Sequence, residues 1–169
     1  MADIESLRKS LKGDIVTTSD PGYEEAIKRW ANNAVRRAKY VAYVKDAQDV
    51  AAAIKWAKAS HTPIAVRGGG HSPAGTSSVE NGLVIDLSRY LNSVKIDPAK
   101  KLGYVGGGAL WEHVDNAASE HGLAAVGGTV NHVSLPHQRC CSCAHHAHAI
   151  AQTGVGGYAC HMLRSQYRC

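Results

Sequence analysis

The residues of this chain best suited to chemistry follow one another in a single stretch, Val66 to Ser78, "VRGGGHSPAGTSS". Arg67, Gly68, Gly69, Gly70, His71 and Ser72 run without a break, and Gly75 follows two residues after Pro73. Glycine lacks Cβ and reaches positive φ cheaply, so such a run lets successive N–H groups crowd around an anion and form a nest for phosphate oxygens. Arg67 adds fixed charge beside it. A neutral imidazole such as that of His71 is a competent nucleophile near pH 7. A flexible surface loop is the alternative reading of the same glycines.

Two phosphate motifs are excluded. A Walker loop needs Gly-Lys-Ser/Thr, which is absent, and a dinucleotide fingerprint opens a helix, whereas this run meets Pro73. The second glycine run, "VGGGALWEHV" from Val105 to Val114, does lead into a helical pattern. Trp111 stands where the third fingerprint glycine belongs, so a strand-to-helix turn is the preferred reading. His113 and His121 read as surface or capping residues, and His61 as a loop residue.

A second group of chemical side chains lies near the C-terminus. Positions 1 to 139 contain no cysteine, and Cys140, Cys141, Cys143, Cys160 and Cys169 all fall after them. A disulfide framework would be spread through the fold. Cys140 and Cys143 form C-x-x-C, and His145, His146, His148, Cys160 and His161 add ligands suited to zinc or copper, although the spacing fits no named finger.

These groups must be positioned by the elements around them. "YVAYV" (Tyr40 to Val44) is a buried-strand run, and "DAQDVAAAIKWAKAS" reads as a helix capped by Asp46, with Val50, Ala53, Ile54 and Ala57 on one face. "PIAV" from Pro63 is a strand that delivers the chain to the glycines. "GLVIDLS", "SVKID" and "KLGYV" follow as short strands, then a helix over Ala109 to Glu120 and a strand at "LAAV". Before them, Ser19 to Val35 joins a turn to a short helix or irregular entry segment, with Ala26, Trp30 and Ala34 four residues apart. A strand–helix–strand unit followed by a strand cluster implies an α+β fold.

Composition narrows the function. The chain has 169 residues, is 44% hydrophobic and carries a net charge of +5 from 19 Lys and Arg against 14 Asp and Glu, with the positive residues scattered. No basic stripe suggests a nucleic-acid partner. No run approaches the roughly 20 apolar residues of a membrane span, and the charged N-terminus lacks the apolar core of a secretory signal. The expectation is a soluble, cytoplasmic protein.

In order and spacing, "PIAVRGGGHSPAGTSS" followed by "GLVIDLSRYLNSVKIDPAKKLGYVGGGALWEHVDNAASEHGLAAVGGTV" resembles the N-terminal FAD-binding domain of flavin-linked oxidases. The superfamily is that of vanillyl-alcohol oxidase and p-cresol methylhydroxylase, in its berberine-bridge-enzyme-like and 6-hydroxynicotine-oxidase-like branch. The resemblance runs from Gly22 to Val130. It implies a PCMH-type domain of two small α/β subdomains, with Arg67 to Ser72 around the FAD pyrophosphate and His71 bonded to the flavin 8α-methyl carbon. Gly75, Thr129, Val130, Gly154 and Gly157 complete the implied cofactor-binding set. A second flavin link, found through a cysteine in some members, would fall at Val130, so the link here would be single. The implied reaction is hydride transfer from a small-molecule substrate to FAD, with reoxidation by oxygen to hydrogen peroxide.

The chain departs from that pattern in one place. "VNH" (130–132) and "TGVGG" (153–157), adjacent in the family, are separated here by Val133 to Gln152, whose end codons can carry intron boundaries. The expected layout is an N-terminal extension (1–21), a partial FAD-binding domain (22–132) incomplete at its C-terminus, and an atypical Cys/His-rich tail (133–169). A retained intron and a shifted frame would account for the tail. Three functions compete on this reading: an FAD-dependent oxidoreductase in truncated form, a non-catalytic fragment, and a metal-binding protein acting through the tail.

Overall fold

The computed structural model describes residues 3–125, 127, 130–134, 151–152 and 157–164. Two sheets divide the chain, and both have helices packed against them.

The first sheet has the order β1-β2-β4-β3, formed by β1 (Asp14–Thr17), β2 (Tyr40–Tyr43), β3 (Ile64–Arg67) and β4 (Leu83–Asp86). β4 is buried along its whole length, as its continuous apolar run requires, and pairs parallel with β2 and β3. Between β2 and β3 the chain crosses through α3 (Ala47–Ala59), whose N-cap Asp46 accepts from the amides of Gln48 and Asp49.

The buried face of α3 is Val50, Ala53, Trp56 and Ala57, whereas Ile54 is exposed. The expected stripe is therefore rotated toward Trp56. The cause is α1 (Ile4–Ser10), which packs on that side of α3, buries Leu7, and takes a hydrogen bond from Trp56 Nε1 to the Asp3 carbonyl at 3.1 Å.

The sequence reading sets residues 1–21 apart as an extension. In the structure they supply α1 and the antiparallel edge strand β1, which pairs with β2 from Asp14↔Tyr43 to Thr17↔Tyr40. Their attachment depends on Asp49. It is 1% exposed, and its carboxylate accepts from the amides of Lys12, Gly13 and Lys45.

The entry segment forms a short helix, α2 (Tyr23–Ile27), and a 3-10 turn at Asn32–Ala34. Ala26 and Ala34 are buried, but Trp30 lies outside the helix and is 62% exposed.

The second sheet has the order β5-β6-β9-β7, with β8 (Ala151–Gln152) also paired to β9. Its strands are β5 (Val94–Asp97), β6 (Leu102–Gly106), β7 (Leu123–Ala125) and β9 (Gly157–Arg164). α4 (Trp111–Ser119) lays Trp111, Val114 and Ala118 on a core with Val105 and Leu123. The result is the expected α+β architecture of two small α/β subdomains.

Val133 packs against the second core, and Ser134 is buried and bridges Leu110. Residues 157–164, read from sequence as part of a foreign tail, provide the strand between β6 and β7, in register from Leu102↔His161 to Gly106↔Gly157.

Candidate functional site

All three parallel strands of the first sheet end on the same edge, the usual location of a ligand crevice in open α/β sheets. Arg67 at the end of β3 faces Asp86 at the end of β4 in register. Arg67 Nη1 donates to Asp86 Oδ2 and to the Ala26 carbonyl, each at 3.0 Å. Asp86 is fully buried, and its Oδ1 accepts from the Ser88 amide at 2.8 Å and hydroxyl at 2.6 Å. An aspartate closing an apolar strand demands such partners, since a buried carboxylate is stable only when paired and hydrogen-bonded. The Nη1 of Arg67 is thus turned inward on Asp86, while its Nε lies under Gly70 of the loop.

Gly68 to Ser72 leave the sheet edge between the two subdomains. A Cβ at Gly69 would stand 2.8 Å from Leu110 Cδ2 and 3.1 Å from Ser134 Cβ, so glycine is needed for the close approach. Gly70 takes φ +69° and Gly75 φ +75°, the left-handed region. The Gly70 carbonyl accepts from the Trp30 amide, and the Ser72 carbonyl from the Gly75 amide, both at 3.2 Å. Among the described residues, no acceptor meets the amides of Gly68, Gly69, Gly70 or Ser72. The loop is therefore a row of N–H donors next to a positive-φ glycine, the chemistry of an anion nest.

His71 follows in this row. Its ring stacks on the Trp30 indole, with centroids 4.7 Å apart and planes 24° from parallel, and meets the His132 ring at 4.7 Å and 60°. Val130, two residues before His132, is exposed.

Arg29 lies beneath the loop and is 7% exposed. It donates from Nε and Nη2 to the Ser77 carbonyl and from Nη1 to the carbonyls of Lys28 and Ala26. Burial, and the neighbouring charge of Arg67, lower its pKa to about 10, so it remains charged at neutral pH.

The second glycine run is a strand-to-helix turn, as read. A Cβ at Gly108 would come within 2.2 Å of the Leu87 carbonyl oxygen, and the Gly108 amide donates to Leu91 O at 2.8 Å. The first amides of α4 are taken by the chain itself: Trp111 N–H donates to Val133 O and Glu112 N–H to Asn131 O. His113 Nδ1 accepts from the Leu110 amide, a capping role, while His61 and His121 are exposed.

Of the other sequence candidates, Gly157 opens β9 opposite Gly106. Thr129, Gly154 and the ligand set from Cys140 to His148 lie outside the described residues. Sequence reasoning missed Arg29, Asp86, His132 and Ser134 as site residues and assigned Trp30 only to helical spacing. The available signal was Asp86, the one acid in an otherwise apolar strand.

Comparison with known proteins decides the family. Residues 38–135 match the family described as FAD binding domain. The chain belongs to this family. The FAD binding domain is 34% identical over 119 residues to (R)-6-hydroxynicotine oxidase of Paenarthrobacter nicotinovorans, covering 70% of this chain and 26% of that protein. It is 35% identical over 128 residues to an uncharacterized FAD-linked oxidoreductase of Bacillus subtilis, covering 76% of this chain and 28% of the relative. The crystal structure of 6-hydroxy-D-nicotine oxidase from Arthrobacter nicotinovorans superposes with a TM-score of 0.71 at 33% identity, over 74% of this chain and 27% of that one. Physcomitrella patens BBE-like 1 shares the fold, with a TM-score of 0.71 at 20% identity over 78% and 29% of the two chains. The domain thus spans about a quarter of the length of the curated relatives it matches.

The residues present suit FAD. The acceptor-free amides of Gly68, Gly69, Gly70 and Ser72 match diphosphate oxygens, and the glycines admit a close approach. No helix among the described residues is long and apolar enough to cross a membrane.

Proposed function

We propose that this chain is the FAD-holding part of an FAD-linked oxidase whose flavin is bonded covalently to His71. The observation that supports this reading is the glycine loop, in which the amides of Gly68, Gly69, Gly70 and Ser72 lack acceptors among the described residues and flank an imidazole stacked on Trp30.

On this reading the loop amides bind the diphosphate, and Trp30 and His132 hold the His71 ring in a fixed orientation. His71 would hold the flavin through a bond from a ring nitrogen to its 8α-methyl carbon, with the ring N–H and one methyl hydrogen leaving as two protons and two electrons that dioxygen would take up as hydrogen peroxide. When bound, FAD accepts a hydride from a small-molecule substrate and passes its electrons to dioxygen. This chain's residues bind the cofactor, orient it and set its surroundings.

The test is expression with FAD followed by acid denaturation. Flavin fluorescence and mass should remain with the protein and be lost in His71→Ala. Flavin released by acid from the unaltered protein would overturn the covalent link. Ser134, seated on Gly68 and Gly69, favours a second reading in which the residues after His132 obstruct the loop and the chain is a non-catalytic fragment. That reading expects protein without flavin in either form.

A further inference from the structure

Arg29, Arg67 and Asp86 form a buried charge cluster directly beneath Gly70. A Cβ placed on Gly70 would stand 3.1 Å from Arg67 Nε and 3.2 Å from Arg29 Cδ, so both side chains underlie the one residue of the loop that takes a positive φ before His71. The cluster does not neutralise itself. Arg67 is paired with the fully buried Asp86, and its Nε has no hydrogen-bond acceptor among the described residues. Arg29 is satisfied in hydrogen bonds, but every acceptor it meets among the described residues is a neutral carbonyl. Besides Arg67 and Asp86, Tyr43 also interacts with it, but burial raises the Tyr43 pKa and it is a neutral phenol at pH 7. Two guanidinium groups thus share one carboxylate.

An uncompensated buried charge is costly, and a protein keeps one where a ligand of opposite sign completes it. We infer that Arg29 is a positioning residue of the cofactor site, holding one excess positive charge under Gly70 that a diphosphate on the loop amides neutralises. The inference rests on the reading of this loop as the FAD diphosphate site. The charge acts from inside the fold, through the backbone of the loop, and leaves the amides free to make the hydrogen bonds.

The experiment measures binding of FAD, inorganic pyrophosphate and riboflavin to the full chain and to Arg29→Gln, Arg29→Lys and Asp86→Asn. Arg29→Gln should weaken FAD and pyrophosphate about tenfold, the order expected for loss of one charge near the anion, and leave riboflavin unchanged. Arg29→Lys should restore most of the loss. Asp86→Asn should move the other way and tighten pyrophosphate, because it frees a second positive charge, whereas a purely structural role predicts weaker binding in both variants. If the unaltered chain binds neither FAD nor pyrophosphate, the loop reading fails and this inference fails with it. If it binds both and folded Arg29→Gln binds them equally well, Arg29 alone loses its role. Should Arg29→Gln not fold, Asp86→Asn decides, and unchanged or weaker pyrophosphate binding overturns the inference.

Discussion

The indole of Trp30 lies stacked on the imidazole of His71, 4.7 Å between ring centroids, while the Trp30 amide donates to the Gly70 carbonyl. One residue thus grips the glycine loop by its backbone and the histidine by its ring. Trp30 is 62% exposed and contributes little to the core. We expect Trp30→Ala to lower stability by about 1 kcal/mol or less, the scale of an aromatic pair at a surface, and to reduce the fraction of acid-stable flavin several-fold. Parallel denaturation and flavin-retention measurements check this. A large stability loss with flavin retention unchanged would refute it.

Asp49 accepts from three backbone amides and joins the N-terminal segment to the start of α3. Asp49→Ala leaves those donors without their acceptor and should cost about 3 kcal/mol, read as a lower urea midpoint. A loss below about 1 kcal/mol would mean that water replaces the carboxylate without penalty.

Glycine replacements should separate packing from cofactor binding. Gly108→Ala drives a Cβ to 2.2 Å from a backbone oxygen and should destabilise the fold by more than about 2 kcal/mol. Gly70→Ala meets flexible arginine side chains and a positive φ, so about 1–2 kcal/mol is expected, together with weaker FAD binding. Thermal melts with and without FAD measure both effects.

Stability should fall in acid through Asp46. The hydrogen bond from Lys12 Nζ, followed by the amide of Asp49, holds its pKa below the ordinary 3.8, so the contribution is complete above that value and is lost as pH falls through the lowered one. The same bond raises the Lys12 pKa above 10.5, so this pairing is lost again only in strong alkali. Asp46→Asn should flatten the acid limb of a plot of denaturation midpoint against pH. An unchanged slope below pH 4 would exclude the pairing.

β9 lies between β6 and β7, with Tyr104 opposite Ala159. Ala159→Pro removes a ladder donor from an interior strand, and hydrogen exchange of the β6 amides should accelerate by more than tenfold while β2 and β4 stay protected. Equal protection in both proteins would remove β9 from the sheet.

Much of this organisation is legible in the residues. The strand–helix–strand unit, the Asp46 cap and the glycine loop all follow from local rules, because period, capping and Cβ sterics act over a few positions. What escapes are pairings set by distance along the chain. Leu7 and Trp56 meet only once α1 folds back on α3, and Arg67 faces Asp86 only in the register of two parallel strands. Arg29, a charged residue in an irregular segment, carries no periodic signal, and its burial follows from the loop that closes over it. The sequence also suggests a break after His132, since the composition changes there. Ser134 nevertheless sits against the glycines, because packing responds to the space available to a small side chain.

The first sheet is complete once residue 86 has been made, with all four of its strands local to the N-terminal half. The second sheet places β9 between β6 and β7, made some 40 to 60 residues earlier. The nascent chain therefore carries a finished subdomain beside one whose central position stands vacant until residue 164 emerges. During that interval β6 and β7 expose unpaired edges, and this is the period in which a chaperone has most to protect.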